Sequence, residues 1–170
     1  MTKKSKNKSP NLITWFSIGM AILLIIILCF LIKNQMEEYH LQNDPILNNL
    51  RVKFTEFFDA KRQWPQNLNM LNNKPNPMHE INLYKGKKSY TINKEKVYLC
   101  LRDEHGNYYN ENMLTYVLAH ELAHVLCKSV GHTEEFYRIF DTLLNELTKA
   151  NVYDSTQEIL ADYCEHGDNS

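Results

Sequence analysis

Residues 115–136 read TYVLAHELAHVLCKSVGHTEEF, and this stretch contains the residues that indicate both the fold and the chemistry of the chain. His120, Glu121 and His124 form an HExxH motif, and a third histidine, His132, follows eight positions later. On a helix, His120 and His124 lie one above the other, because residues four apart share a face. Two imidazoles at that spacing hold Zn²⁺ with Zn–N distances of about 2.0–2.1 Å. Glu121 lies one position round the helix, where a general base for an activated water belongs. The stretch predicts metal-assisted hydrolysis, with a peptide bond as the expected target.

The HExxH spacing identifies two metal ligands but does not by itself identify the third. His132 follows Gly131 just past the predicted end of the helix, so the chain turns back there and presents an imidazole to the metal. His132 would complete the set of three protein ligands that catalytic zinc requires. Glu146, on a following helix, is a competing ligand. Cys127 continues the histidine face, but three ligands from one straight helix fit a tetrahedron poorly, so we expect a buried thiol there.

A second segment indicates a membrane. Residues 12–32 read LITWFSIGMAILLIIILCFLI, a run without charge that is long enough to span a bilayer as a helix. A cleaved signal peptide has a shorter apolar core, of about 7–15 residues, and a small-residue cleavage site, which this run lacks. We therefore predict an uncleaved signal anchor. The positive-inside rule predicts that the N-terminus is in the cytoplasm and the rest of the chain on the other side. Lys33, directly after the apolar run, is the one nearby charge that favours the opposite orientation. The preceding lysines are Lys3, Lys4, Lys6 and Lys8.

Charge and cysteine content limit the remaining classes. With 19 basic and 20 acidic residues the net charge is −1, so we expect no nucleic-acid partner. Outside the membrane span, Cys100, Cys127 and Cys164 are an odd number. They are compatible with one disulfide and one free thiol, or with no disulfide, so the redox compartment stays open.

The sequence divides into a basic cytoplasmic tail at residues 1–11, the anchor at 12–32, a stalk at 33–44 and a domain at 45–166. In the domain, Asp44 and Pro45 predict a helix start. The expected elements are a helix to about residue 62, an Asn- and Pro-rich loop at 64–79, strands at 89–92 and 96–102 joined by a tight turn, and helices at 113–128 and 133–147. We expect the strand at 96–102 to be an edge that pairs with an extended substrate.

The run at residues 89–140 resembles the WLM family of zinc metallopeptidases, which is related to the SprT-like proteases. The family mark is HELAH followed by H-x-x-x-F, here residues 120–124, His132 and Phe136. The resemblance implies a zincin-like α+β fold with a small antiparallel sheet, zinc at the three histidines and Glu121 as the catalytic residue. Soluble members are linked to proteolysis of DNA–protein crosslinks. We do not expect this role here, because we predict a membrane anchor and find no accessory segment for such partners in the sequence.

The sequence therefore predicts a membrane-anchored zinc metallopeptidase that acts on a protein or peptide. Zn²⁺ is held by His120, His124 and His132, and Glu121 moves the proton. Tyr153 or Tyr163 is a candidate donor to the oxyanion. We expect the domain on the non-cytoplasmic side, in a virion or host membrane if the source is viral. The alternatives are a catalytically silent, zinc-stabilised adaptor tethered to a membrane and a structural protein of a virion.

Overall fold

The computed structural model describes residues 11–60, 63–161 and 163–164, and the chain divides into two units between Tyr39 and His40. The first unit consists of most of helix α1, Leu12–Gln42, which contains the apolar run. By length and composition alone this helix is able to cross a membrane, and none of its apolar window is buried by protein. The helix continues to Gln42, as expected for a helical stalk. The predicted basic tail, apart from Asn11, lies outside the described residues.

Helix α2, Pro45–Asp59, opens the second unit. Asp44 caps it: its Oδ1 atom accepts a hydrogen bond from the backbone N–H of Ile46 at 3.0 Å. Proline at the first position supplies a fixed φ and gives up an N–H that has no partner there. The predicted start is confirmed, and the helix ends slightly before the expected residue 62. Its apolar stripe is buried in the core and comprises Leu47, Leu50, Phe54, Phe57 and Phe58.

The segment predicted as a loop at 64–79 contains two short helical pieces. A 3₁₀ segment covers Gln66–Asn73, and helix α3 covers Pro77–Glu80. Asn76 caps α3, because its side-chain oxygen accepts from the N–H of Met78 at 2.9 Å. The loop prediction is wrong in part, since these pieces are too short to show an apolar period. Their stability comes from caps and from burial of side chains such as Leu68 and Met78.

The sheet has three strands, β1 Asn82–Gly86, β2 Tyr90–Ile92 and β3 Lys96–Cys100, in the order β1-β3-β2. Strand β2 runs antiparallel to β3, which confirms the predicted hairpin, whereas β1 runs parallel to β3. The expected small antiparallel sheet is therefore a mixed one, and β1 was missed. Because β3 lies in the centre with a neighbour on each side, its expected role as an edge strand is wrong. The edges of this sheet are β1 and β2 instead.

Helix α4 carries the HExxH motif and packs against helix α5. Helix α4, Glu111–Leu126, is capped by Asn110, whose Oδ1 accepts from the N–H of Met113 at 2.7 Å. Helix α5, Glu134–Lys149, is capped by Thr133. Helix α4 contacts α5 and also strands β2 and β3, and its Leu114, Leu118 and Leu122 are fully buried. The described domain is thus a mixed α+β unit in which α4 is the central element.

A disulfide joins Cys100, the last residue of β3, to Cys164, with the two Cα atoms 6.3 Å apart. It fastens the segment after α5 to the sheet. Cys127 has a free, buried thiol, as expected. The question that the cysteine count left open is answered in favour of one disulfide.

We predict that this disulfide stabilises the domain by closing a long loop. The Cys100→Ser, Cys164→Ser double variant should unfold with a free energy lower by about 2–4 kcal/mol, because cross-linking residues far apart in sequence restricts the unfolded chain. Urea unfolding of the full chain in detergent measures the difference. Reductant should lower the midpoint of the wild type and leave the double variant unchanged; an equal response of the two proteins contradicts the assignment.

Candidate metal centre

Three histidines converge at the end of α4. His120 and His124 are one turn apart on α4, with ring centroids separated by 5.0 Å. The chain leaves α4, turns at Gly131, which has a positive φ of 84°, and returns His132 to the same place. The Nε2 atoms of His132 and His120 are 3.0 Å apart, and one ring nitrogen from each of the three histidines lies within 4.8 Å of the others. This cluster has the ligands and the spacing for a metal ion.

The spacing of the cluster is compatible with zinc. Tetrahedral coordination at about 2.0–2.1 Å places ligand nitrogens roughly 3.3 Å apart, which falls within the observed separations. Burial lowers the pKa of His120 to about 4, with a further lowering from the two neighbouring imidazoles. Burial also lowers the pKa of His124, with a further lowering from His132. Neutral imidazoles offer the free lone pair that a metal requires. His132 is exposed, so the cluster faces solvent on one side, where a substrate has access.

Phe136 supports all three imidazoles. Its ring is completely buried, and its centroid lies 5.0 Å from that of His120, 4.3 Å from that of His124 and 4.8 Å from that of His132. Phe136 lies in the first turn of α5, four residues after His132. Packing therefore explains the H-x-x-x-F spacing, because the Phe136 ring contacts all three imidazoles and restricts their orientation.

Glu121 lies beside the histidines and is almost completely buried, with 4% of its surface exposed. The Thr91 hydroxyl on β2 donates a hydrogen bond to its Oε2 atom at 2.7 Å. Burial raises the pKa of Glu121 to about 7, against the lowering effect of that hydrogen bond. The carboxyl group is therefore held in one place by the sheet. Sequence reasoning missed Thr91, since a threonine in a short strand carries no distinguishing signal.

The cluster opens into a cleft of about 480 Å³ with two walls. One wall is formed by β2 and the turn that follows it, including Tyr90 and Lys94; the other is the loop at residues 129–132. The Lys94 ammonium group donates to the carbonyls of Cys127 and Lys128 at the C-terminal end of α4. Cations are favourable at that end of a helix. Lys94 thus connects the β2–β3 turn to the C-terminal end of α4 by hydrogen bonds.

The loop that carries His132 is fastened by Glu135. Its Oε2 atom accepts from the Ser129 hydroxyl at 2.8 Å, from the Ser129 N–H at 3.3 Å and from the Cys127 thiol at 3.3 Å. The Ser129 hydroxyl also lies 2.8 Å from that of Thr133. These bonds, led by that from the Ser129 side chain, lower the pKa of Glu135 to about 2. Nothing in the sequence distinguishes Glu135 from Glu134, because only the folded loop brings Ser129 into reach.

The other residues singled out in the sequence lie elsewhere. The Tyr163 hydroxyl bonds to the Cys100 carbonyl and lies 2.9 Å from the Ser89 hydroxyl. Tyr153 packs beside Tyr116, with ring centroids 6.1 Å apart, and borders a separate groove. Neither tyrosine is among the residues that line the cleft, and their part as oxyanion donors stays a prediction. Glu146, the competing ligand, pairs with Lys149 at 2.7 Å and lies outside the histidine cluster.

Comparison with known proteins places the chain in a family. Residues 90–168 match the WLM domain. The chain is 39% identical over 130 residues to uncharacterized protein 136R of Invertebrate iridescent virus 6, covering 72% of each protein. The chain therefore belongs to the WLM-domain family.

Two further viral relatives match over shorter stretches. Uncharacterized protein 042R of Invertebrate iridescent virus 3 is 38% identical over 95 residues, which are 52% of this chain and 60% of that protein. Uncharacterized protein R325 of Acanthamoeba polyphaga mimivirus is 42% identical over 67 residues, 38% of this chain and 34% of that protein. No solved structure matches the chain.

We predict that Glu135 orders the ligand loop and that Glu134 does not. Glu135→Ala should increase amide hydrogen exchange across residues 127–133 by about five- to tenfold, because the Ser129 N–H loses its acceptor and the loop loses its clasp. Exchange is measured by mass spectrometry. Glu134→Ala is the matched control, since the Glu134 carboxylate pairs with Arg138 on the surface of α5. Equal protection of the loop in both variants contradicts this assignment.

Proposed function

We propose that this protein is a zinc-dependent metallopeptidase with a zincin-like fold, anchored in a membrane by α1. One observation carries the proposal: three imidazole nitrogens lie within 4.8 Å of one another, beside a buried glutamate on α4, the helix that carries two of the three histidines. A structural zinc site closes its coordination with four protein ligands, whereas a catalytic site keeps one position open. Here three ligands face a cleft. Membership of the WLM-domain family supports the same conclusion.

The residues of the chain divide the work between them. Bound at the histidines, a zinc ion supplies Lewis acidity, which acidifies water and polarises a carbonyl group. His120, His124 and His132 hold it, with Phe136 fixing their orientation. The Glu121 carboxylate accepts the proton of the attacking water and returns it to the leaving amine. Thr91 keeps that carboxylate aimed at the cleft by its hydrogen bond to Oε2.

The substrate enters as an extended chain along β2. Within the part of the chain that the structure describes, strand β2 pairs with β3 on one side only, and it borders the cleft that contains Glu121 and the histidines. The free backbone groups of an edge strand bind an extended peptide by strand addition. A peptide held in this way passes over the metal centre. The role that the sequence assigned to the strand at 96–102 therefore passes to β2.

The location of the domain is part of the proposal. The apolar helix α1 is long enough to anchor the chain, and the lysines before it favour a cytoplasmic N-terminus. The disulfide between Cys100 and Cys164 supports an oxidising compartment for the domain, because cytosolic thiols stay reduced. Relatives in iridescent viruses and in a mimivirus support a virion or host membrane as the setting.

The first prediction concerns the general base. Glu121→Gln should keep one zinc per chain and lose at least about 100-fold in peptidase activity, because the amide cannot accept the proton. Zinc content is measured by elemental analysis. Peptidase activity is measured on a denatured protein substrate. Glu104→Gln, in an exposed turn, is the control and should keep activity. A fully active Glu121→Gln protein contradicts the mechanism, and a wild type that binds zinc but cleaves nothing favours the adaptor.

The second prediction concerns the third ligand. His132→Ala should bind zinc more than about 100-fold less tightly, because even loss of an outer-shell partner costs about 10–100-fold. Glu146→Ala should bind zinc as the wild type does. Competition with a chelator of known affinity measures both. The opposite pattern moves the protein to the class in which a glutamate on the following helix is the ligand.

A further inference from the structure

A row of three tyrosine rings crosses the face of the sheet opposite to that of Thr91 and Val97. Tyr84 of β1, Tyr98 of β3 and Tyr90 of β2 are register partners on adjacent strands. Tyr84 and Tyr98 stack with centroids 4.9 Å apart, and Tyr98 and Tyr90 stack at 4.7 Å, with interplanar angles of 19° and 15°. The rings form one continuous stack that leads from β1 to the edge strand beside the metal centre.

The stack is closed at one end and open at the other. Tyr84 is only 1% exposed, and the Lys96 ammonium group lies 5.5 Å from its ring centroid. Tyr90 is 43% exposed and borders the cleft, with its ring on the opposite face of the sheet from Thr91, which contacts Glu121. Its ring is held in place by Tyr98, so it offers a rigid aromatic surface at little cost in conformational entropy.

The stack has the same repeat as a β-sheet. Neighbouring strands lie about 4.7–4.9 Å apart, which is the spacing of the tyrosine rings. A peptide added to the free edge of β2 therefore places the side chain opposite Tyr90 one further step along the stack. The direction of that peptide does not matter, because Tyr84 stacks on a parallel neighbour and Tyr90 on an antiparallel one.

The same face of β2 continues with an apolar side chain. Ile92, two residues from Tyr90, is 41% exposed. Its register partner on β3 is Lys96, whose ammonium group lies over the ring of Tyr84. Along the edge strand this face therefore presents the Tyr90 ring and the Ile92 side chain, which match an aromatic and an aliphatic residue of an added strand.

We propose that the substrate of this site is an extended polypeptide segment with an aromatic side chain opposite Tyr90 and an aliphatic one two residues away, next to Ile92. This inference rests on the proposed function, which supplies the strand addition along β2. Tyr90 is then a residue that determines specificity, and the substrate ring is the fourth member of the stack.

The test measures binding without hydrolysis. Full-length Glu121→Gln protein in detergent is titrated into two fluorescein-labelled peptides, with empty micelles as the blank. The first peptide carries phenylalanine and, two positions on, valine in a serine and threonine background; in the second, serine replaces the phenylalanine. Anisotropy should show about three- to tenfold tighter binding of the first, as expected for one aromatic pair.

Three further substitutions in the Glu121→Gln protein locate the effect. Tyr90→Val, which keeps a good strand former, should bring the affinity ratio of the two peptides close to one, whereas Tyr90→Phe should retain the ratio. Tyr137→Val removes an exposed tyrosine that lies outside the stack and should also retain it. Equal affinity for the two peptides, no binding of either, or an unchanged ratio in Tyr90→Val overturns the inference.

Failure of the proposed function gives a different result. If the wild type binds the phenylalanine peptide more tightly and never cleaves it, the binding surface stands and the peptidase assignment fails. If the wild type cleaves both peptides with equal efficiency, the peptidase assignment stands and the role of Tyr90 is overturned.

Discussion

The convergence of a helix and the loop beyond it is the constraint on which this structure depends. His120 and His124 are placed by the pitch of α4, but His132 reaches them only because the chain turns back within a few residues. Phe136 lies under all three rings, and Glu135 binds the backbone and side chain of Ser129. The first turn of α5 therefore does two things at once: it packs against the ligand rings and it fastens the loop that supplies the third of them.

The sheet is joined to this centre at two points. Thr91 donates to the carboxylate of Glu121, and Lys94 donates to the carbonyls that end α4. Both residues come from β2 or the turn after it, so the edge strand is fixed relative to the histidines. Such an arrangement holds the edge of β2, Glu121 and the three histidines in fixed relative positions, which is what the proposed catalysis requires. The disulfide and Tyr163 secure the far end of the neighbouring strand, β3.

The part of this arrangement that could be predicted from the sequence is the part encoded by short-range spacing. The i, i+4 histidines, the adjacent glutamate, the capped helices and the β2–β3 hairpin depend on residues close together in the chain. Strand β1 was missed because its partner, β3, lies beyond the hairpin strand and runs parallel to it. Thr91, the clasp at Glu135 and the pairing of Cys100 with Cys164 depend on contacts over long separations, for which one sequence holds no signal. The central position of β3 follows from the same non-local pairing.

X-ray absorption at the zinc edge, on full-length protein purified in detergent and supplied with one equivalent of zinc, tests the central claim most directly. The account predicts imidazole nitrogens from three histidines and one oxygen from solvent, at about 2.0–2.1 Å. Protein that stays free of metal would contradict it, and so would a sulfur atom, that of Cys127, at about 2.3 Å from the zinc ion.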